Sequence, residues 1–201
     1  MIAIVDYQAG NLPSVQRAFK EIGYDSVITS NPSEIIKAEK VIFPGVGAAG
    51  KAMESLKKKS IDKALKQVVK QGKGLLGICL GAQIILEKSS ENDTLCLGII
   101  PGQAKKLLLK KDFKIPHMGW NQVRQEKYHP IFNNIPDQTN FYFVHSYYPA
   151  VSTENTLGTT EYGIVFPSVI IKDNVIAVQF HVEKSGFFGL KLLENFMAME
   201  F

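Results

Sequence analysis

Two places in this chain hold residues that could do chemistry together. Cys79 stands in Gly77-Ile78-Cys79-Leu80-Gly81, a sulfur with a glycine two residues away on each side. That is the layout of a nucleophile elbow, where a strand turns sharply into a helix and presents one side chain at the joint. Glycines keep side chains out of the crowded start of that helix. The joint also sets the sulfur at the positive end of a helix dipole, which favours thiolate, the attacking form. The same spacing is compatible with a small buried core cysteine. Much later come His181 and Glu183, two apart. In an extended segment they point to one side, and a carboxylate beside an imidazole fixes its tautomer and supports its cation. With Cys79 they would supply nucleophile, base and orienter. Taken singly, His181 reads as a structural histidine at a strand end and Glu183 as a solvated charge.

Other segments carry weaker signals. Pro44-Gly45-Val46-Gly47 lacks the lysine and hydroxyl residue of a P-loop. It reads either as a plain turn or as a loop that aims a backbone amide at a developing oxyanion. Pro116-His117-Met118-Gly119-Trp120-Asn121 holds the only tryptophan. It reads as a turn with a packed Trp120 or as an interaction surface. Phe141-Tyr142-Phe143-Val144-His145-Ser146-Tyr147-Tyr148 is dense in aromatics and reads as core strand at Phe141 and Phe143. Cys96 has neither elbow nor partner and reads as core or inert. No group of histidines, cysteines and carboxylates has zinc-ligand spacing.

These residues need elements to position them. Apolar runs at Ile2–Val5, Ser26–Thr29, Lys40–Phe43 and around Leu75–Ile78 read as strands. Helical patterns fall between them, at 14–22, after Pro32, at 48–57 and at 60–70, with another expected at 82–87. Asn31 and Pro32 form a capped helix start. Alternating strand and helix argues for a parallel sheet covered on both faces. The second half differs. Residues 98–109 and 140–151 read as strands, and 169–178 as a hairpin turning at Asp173-Asn174. Its second strand is expected to run on to Ser185, before a closing helix from Phe187 to Met199. The composite is one α/β domain, residues 1–201: a mostly parallel central sheet flanked by helices, with an antiparallel extension. Ligands in such sheets bind at the carboxyl ends of strands. The loop after Asp6, Pro44–Gly47, Cys79 and His181 all fall there.

Composition sets the outer bounds. Of 201 residues, 45% are hydrophobic and 21% charged, ordinary for a globular protein. No run is long enough to cross a bilayer and no secretory signal is evident, so a cytoplasmic enzyme without a membrane role is expected. Two cysteines do not make a disulfide framework. The net charge of +4 comes with lysine clusters at 57–59, 105–106 and 110–111. They lack the interleaved aromatics of a nucleic-acid groove, so solvated faces are expected and no nucleic-acid partner.

Gly77-Ile78-Cys79-Leu80-Gly81-Ala82-Gln83 and Gln179-Phe180-His181-Val182-Glu183 together resemble the class I (triad) glutamine amidotransferases. The likeness runs from Asp6 to Lys184. Pro44–Gly47, Pro116–Asn121, Phe143–Tyr147 and Gly158–Tyr162 are similar to the segments of those family members that act as glutaminase subunits in histidine biosynthesis. The resemblance implies that Cys79 attacks the side-chain amide of glutamine, that His181 moves the proton and that Glu183 orients His181. It implies an oxyanion held by the backbone amides of Leu80 and Val46, and glutamine held by Gly45, Gly47, Gln83, Ser146 and Tyr147. Asn11, Trp120, Asn121, Tyr142 and Lys184 would face a (β/α)-barrel cyclase in a heterodimer. Ammonia would pass through that barrel to a ribulosyl nucleotide, yielding imidazole glycerol phosphate and an aminoimidazole carboxamide ribotide. No cofactor or metal is implied. An alternative within the family is a subunit feeding ammonia to amidation of a surface-polysaccharide sugar. Two positions depart from the family pattern. Val182 stands where proline is usual, and the Asp6–Asn11 loop has Gln8 and Ala9 where a glycine is common.

Overall fold

The computed structural model describes residues 1–109 and 113–201, so the expected Lys110-Lys111 face lies outside the described residues. The first half runs β1 (Ile2–Val5), α1 (Leu12–Glu21), β2 (Ser26–Thr29), α2 (Pro32–Lys37), β3 (Lys40–Gly45), α3 (Ala49–Lys58), α4 (Ile61–Lys70) and β4 (Gly74–Cys79). Helix α5 (Leu80–Ile84) leads to the short strands β5 (Lys88–Ser89), β6 (Thr94–Leu95) and β7 (Gln103–Lys106). The second half holds β8 (His117–Gln125), β9 (Thr139–His145), β10 (Tyr147–Ala150), β11 (Thr156–Glu161), β12 (Val165–Lys172), β13 (Val175–Val178) and α6 (Gly186–Ala198).

Nine strands form one sheet in the order β2-β1-β3-β4-β13-β12-β11-β8-β9. Pairings from β2 to β13 are parallel and those from β13 to β9 antiparallel. The expected antiparallel extension is therefore as long as the parallel half. Ile2 and Ile4 enter the core with α1 and α6, while Ala3 and Val5 enter the core with α2, α3 and α4. An alternating strand between two apolar layers has no polar face, which is why its sequence is an unbroken apolar run.

Local chemistry sets several boundaries. The Asn31 side chain accepts the Ser33 N–H at 2.9 Å, with Pro32 at the first helical position, as the capping pattern predicts. The helix after the elbow begins at Leu80 and ends at Ile84, earlier at both ends than the expected 82–87. The carbonyls of Ile84, Ile85, Leu86 and Glu87 accept instead from Leu97, Ile99, Gly98 and Cys96, so a crossing segment takes the bonds a longer helix would use. The strand expected over 140–151 is two strands in different sheets. The chain leaves the large sheet at Ser146, and β10 joins a small sheet, β10-β7-β5-β6, that the sequence reading lacked. Pro116–Asn121 is not a turn but enters β8, and Trp120 is 57% exposed rather than packed. Strand β13 ends at Val178 rather than continuing to Ser185, and Val182–Lys184 forms a 3-10 turn.

Candidate active site

Strand β4 is buried along its whole length between β3 and β13 and delivers Cys79 level with Gly45. The backbone there is strained: Cys79 has φ 55° and ψ −108°. A non-glycine residue in such a conformation costs on the order of 1–3 kcal/mol and persists only when its surroundings hold it. The flanking glycines explain how they do. A Cβ on Gly81 would overlap the Phe43 carbonyl, and one on Gly77 would lie 2.9 Å from the Ala177 Cβ. Both glycines let the helix start approach the sheet, which turns the sulfur outward.

His181 arrives from the next strand over. Its N–H donates to the Tyr142 carbonyl at 2.9 Å, and its own carbonyl accepts from the Ser185 hydroxyl at 2.6 Å. Ser185 Oγ in turn accepts the Tyr142 N–H at 3.0 Å, closing a ring of hydrogen bonds around the histidine backbone. Glu183 Oε1 lies 2.8 Å from His181 Nδ1, with both side chains at most 5% exposed. Glu183 is therefore no solvated charge. The pair meets, but across the 3-10 turn that His181 caps rather than along an extended strand. Burial alone would lower the His181 pKa. Cys79 and Glu183 outweigh it and hold it up at about 10, so the imidazolium is the resident form at neutral pH. His181 Nε2 is buried with no hydrogen-bond partner among the described residues, and Cys79 is one of the groups that raise the His181 pKa. The Gln179 side-chain amide and the Val144 carbonyl each lie 3.9 Å from Cys79 Sγ.

A cavity of about 330 Å³ opens beside the sulfur. Val46, Gly47, Leu80, Gln83, Ser146 and Tyr147 line it, together with Cys79. Gly45 does not. It is buried at the end of β3, and a Cβ there would overlap the Tyr7 hydroxyl. Gln83 turns its amide inward, donating to the Tyr147 carbonyl at 2.8 Å and to Gln179 Oε1 at 3.0 Å. Among the described residues, Glu91 is the one carboxylate on the cavity wall, tethered through Oε2 to the Ala49 N–H at 2.7 Å. It escaped the sequence reading because its loop carries no motif. Gln179 and Ser185 escaped for another reason, since their roles rest on partners far away in sequence.

The remaining candidates sort by strand face. Trp120 and Tyr142 are cross-strand partners with ring centroids 6.0 Å apart, and Lys184 Nζ lies 5.9 Å over the Tyr142 ring. Asn121, next to Trp120, points to the other side of β8 and reaches His117. Asn11 is exposed at the start of α1 and has no side-chain capping bond. Cys96 is half-buried and burial pushes its thiol up to about 11. Among the described residues there is no group of three or more potential metal ligands. Among them, too, no helix is long and apolar enough to cross a membrane.

The family model described as "Glutamine amidotransferase class-I" matches residues 3–199. The chain belongs to the class I glutamine amidotransferases. A curated family member from Dehalococcoides mccartyi (strain CBDB1), "Imidazole glycerol phosphate synthase subunit HisH", is 49% identical over 99% of this chain and 97% of its own length. The subunit of the same name from Bacillus cereus (strain B4264) is 46% identical over 99% and 95%. Among solved structures, that of PurLQS from Thermotoga maritima matches with a TM-score of 0.77 and 17% identity, covering 98% of this chain and 96% of that one. The glutaminase domain of Trypanosoma brucei CTPS, solved with bound acivicin, matches with a TM-score of 0.65 and 13% identity, over 100% and 94%. At those identities the structures speak for the amidotransferase fold alone.

Proposed function

We infer that this chain is the glutaminase subunit of an imidazole glycerol phosphate synthase and works in histidine biosynthesis. The observation that carries the chemistry is Cys79 on a strained elbow, coupled to the buried His181–Glu183 pair and opening on a cavity of about 330 Å³. Near-full-length identity of 46–50% to curated subunits of that synthase carries the assignment to a pathway.

In this reading the Cys79 sulfur attacks the carboxamide carbon of glutamine. The charge that develops on oxygen is met by the backbone amides of Leu80 and Val46, each donor worth roughly 3 kcal/mol of barrier. His181 Nε2 gives its proton to the departing nitrogen, and ammonia leaves a glutamyl thioester on Cys79. Water, relieved of a proton by the now neutral imidazole, attacks the thioester and releases glutamate. Glu183 is the positioning residue that keeps Nδ1 protonated and Nε2 facing the sulfur. Glu91 offers a carboxylate to the ammonium end of glutamine, while Gly47, Ser146 and Tyr147 form the wall.

Ammonia is then used by a cyclase subunit with a (β/α)-barrel, seated on the Trp120, Tyr142 and Lys184 rim. An exposed tryptophan with an aromatic neighbour and a cation is the composition of an interface hot spot. The whole chain acts as one domain, and we place the reaction in the cytoplasm. The test is glutamate release by the chain with and without its cyclase subunit and the ribulosyl nucleotide. Release should rise sharply with both present and vanish in Cys79→Ala. Release that survives Cys79→Ala would overturn the reading.

A further inference from the structure

Two buried histidines have no part in this chemistry. His117, on β8, and His145, at the end of β9, are opposite one another in the strand register. His117 Nδ1 lies 2.9 Å from His145 Nε2, and His145 Nδ1 lies 2.8 Å from the Tyr147 carbonyl oxygen. At the other end, Asn121 Nδ2 lies 3.2 Å from His117 Nε2.

The proton positions follow from the last partner. A carbonyl only accepts, so His145 carries its proton on Nδ1 and its Nε2 is an acceptor. His117 must then donate from Nδ1, leaving its Nε2 to accept from Asn121. Asn121 is oriented independently. Its amide also donates to the Glu161 carbonyl at 2.9 Å, and its oxygen accepts the Gln122 N–H at 2.8 Å. The chain thus runs one way, from Asn121 through both rings to Tyr147. Both imidazoles are neutral, because burial pushes His117 down to about 4 and His145 to about 3. The His117 ring lies flat between Tyr162, at 4.0 Å, and Phe143, at 4.9 Å, so its orientation is held by stacking as well as by hydrogen bonds. His145 itself lines the cavity beside Cys79, and the Tyr147 carbonyl at the end of the chain also receives the Gln83 amide.

We propose that His117 and His145 are positioning residues, a hydrogen-bonded relay that ties the Asn121 side chain on the outer part of the sheet to the Tyr147 wall of the glutamine pocket. The relay sets where Tyr147 and Gln83 stand, and so how well glutamine is held. It makes no contact with the reacting atoms. The proposal rests on the preceding reading for the identity of the substrate.

The first test is a nuclear magnetic resonance spectrum of the full chain labelled with ¹⁵N-histidine. A nitrogen–nitrogen coupling across the His117 Nδ1–H···Nε2 His145 hydrogen bond is expected, with both rings unprotonated at Nε2. A His145 protonated at Nε2 would overturn the relay. The second test uses His117→Phe, which keeps a flat ring between Tyr162 and Phe143 and removes both nitrogens. Assayed in the assembled enzyme, it should raise the glutamine KM about tenfold with kcat held within about twofold, the scale of one lost buried hydrogen bond. His117→Gln can still accept from Asn121 and donate to His145, and should restore most of the loss. Adding Asn121→Ala to His117→Phe should raise KM no further, because the chain is already cut. An unchanged KM in His117→Phe, no rescue by glutamine, or full additivity would each contradict the proposal. Failure of the partner reading shows separately, as cyclase affinity unmoved by Trp120→Ala, and leaves the nitrogen coupling intact.

Discussion

In the inner strands of the parallel half of the large sheet both faces are covered, and in the antiparallel half one face meets solvent or a neighbour. β1, β3, β4 and β13 are buried almost throughout. β8 alternates, with His117 and Val123 buried and Met118, Trp120, Gln122 and Arg124 exposed. The two halves hold the site by different means. Cys79 is placed by its own neighbours, through glycines two residues away and a strained φ of 55°. His181 is placed by Tyr142 and Ser185, one of them on a distant strand. The proposed nucleophile is a local device and the proposed acid–base group a tertiary one, so damage to each should look different.

Loss of the sulfur gives the largest effect. Cys79→Ala should cut glutamate release by about four orders of magnitude or more while leaving the fold intact, checked by steady-state assay beside circular dichroism. A thermal midpoint that fell with it would mean that the sulfur is structural. Next comes the elbow. Gly81→Ala drives a methyl into the Phe43 carbonyl and should destabilise by about 3 kcal/mol or more in denaturant unfolding. Gly47→Ala, which has open space but a φ of +99°, should cost only about 1 kcal/mol. Equal costs would remove the case that close approach, not turn freedom, dictates Gly81.

The tertiary device breaks more gently. Ser185→Ala removes two hydrogen bonds around His181, and about 1–3 kcal/mol of stability and roughly tenfold in kcat should go together. Charge gives a further handle. The His181 pKa is raised in the folded state, so its contribution to stability is full below the unfolded value of 6.5 and is lost as pH rises toward about 10. Glu183→Gln should bring that titration down, followed by the His181 resonance across pH. A His181 that titrates near its ordinary value in the native chain would contradict the coupling to Cys79 and Glu183. Smallest of all, Trp120→Ala should change stability by less than about 0.5 kcal/mol, because the side chain is largely exposed, while weakening cyclase binding in a titration.

This contrast also explains what could be read from the sequence. The parallel strands and the elbow were legible because their signals are local: unbroken apolar runs, and glycines spaced about a cysteine. The pairing of His181 with Glu183 was legible, but its 3-10 turn was not, because the end of β13 is set by bonds to Ser168 and Tyr142. The small sheet was missed because its strands are two to four residues long and pair across distant segments. The His117–His145 pair was invisible for the same reason, since nothing in either local sequence announces the other.

The central claim is that a covalent intermediate forms on one sulfur, and acid-quenched enzyme caught during turnover of glutamine tests it most directly. Peptide mass spectrometry should find a glutamyl group on the Cys79 peptide and none on the Cys96 peptide. A glutamyl group on Cys96, or turnover with Cys79 unmodified throughout, would contradict the account.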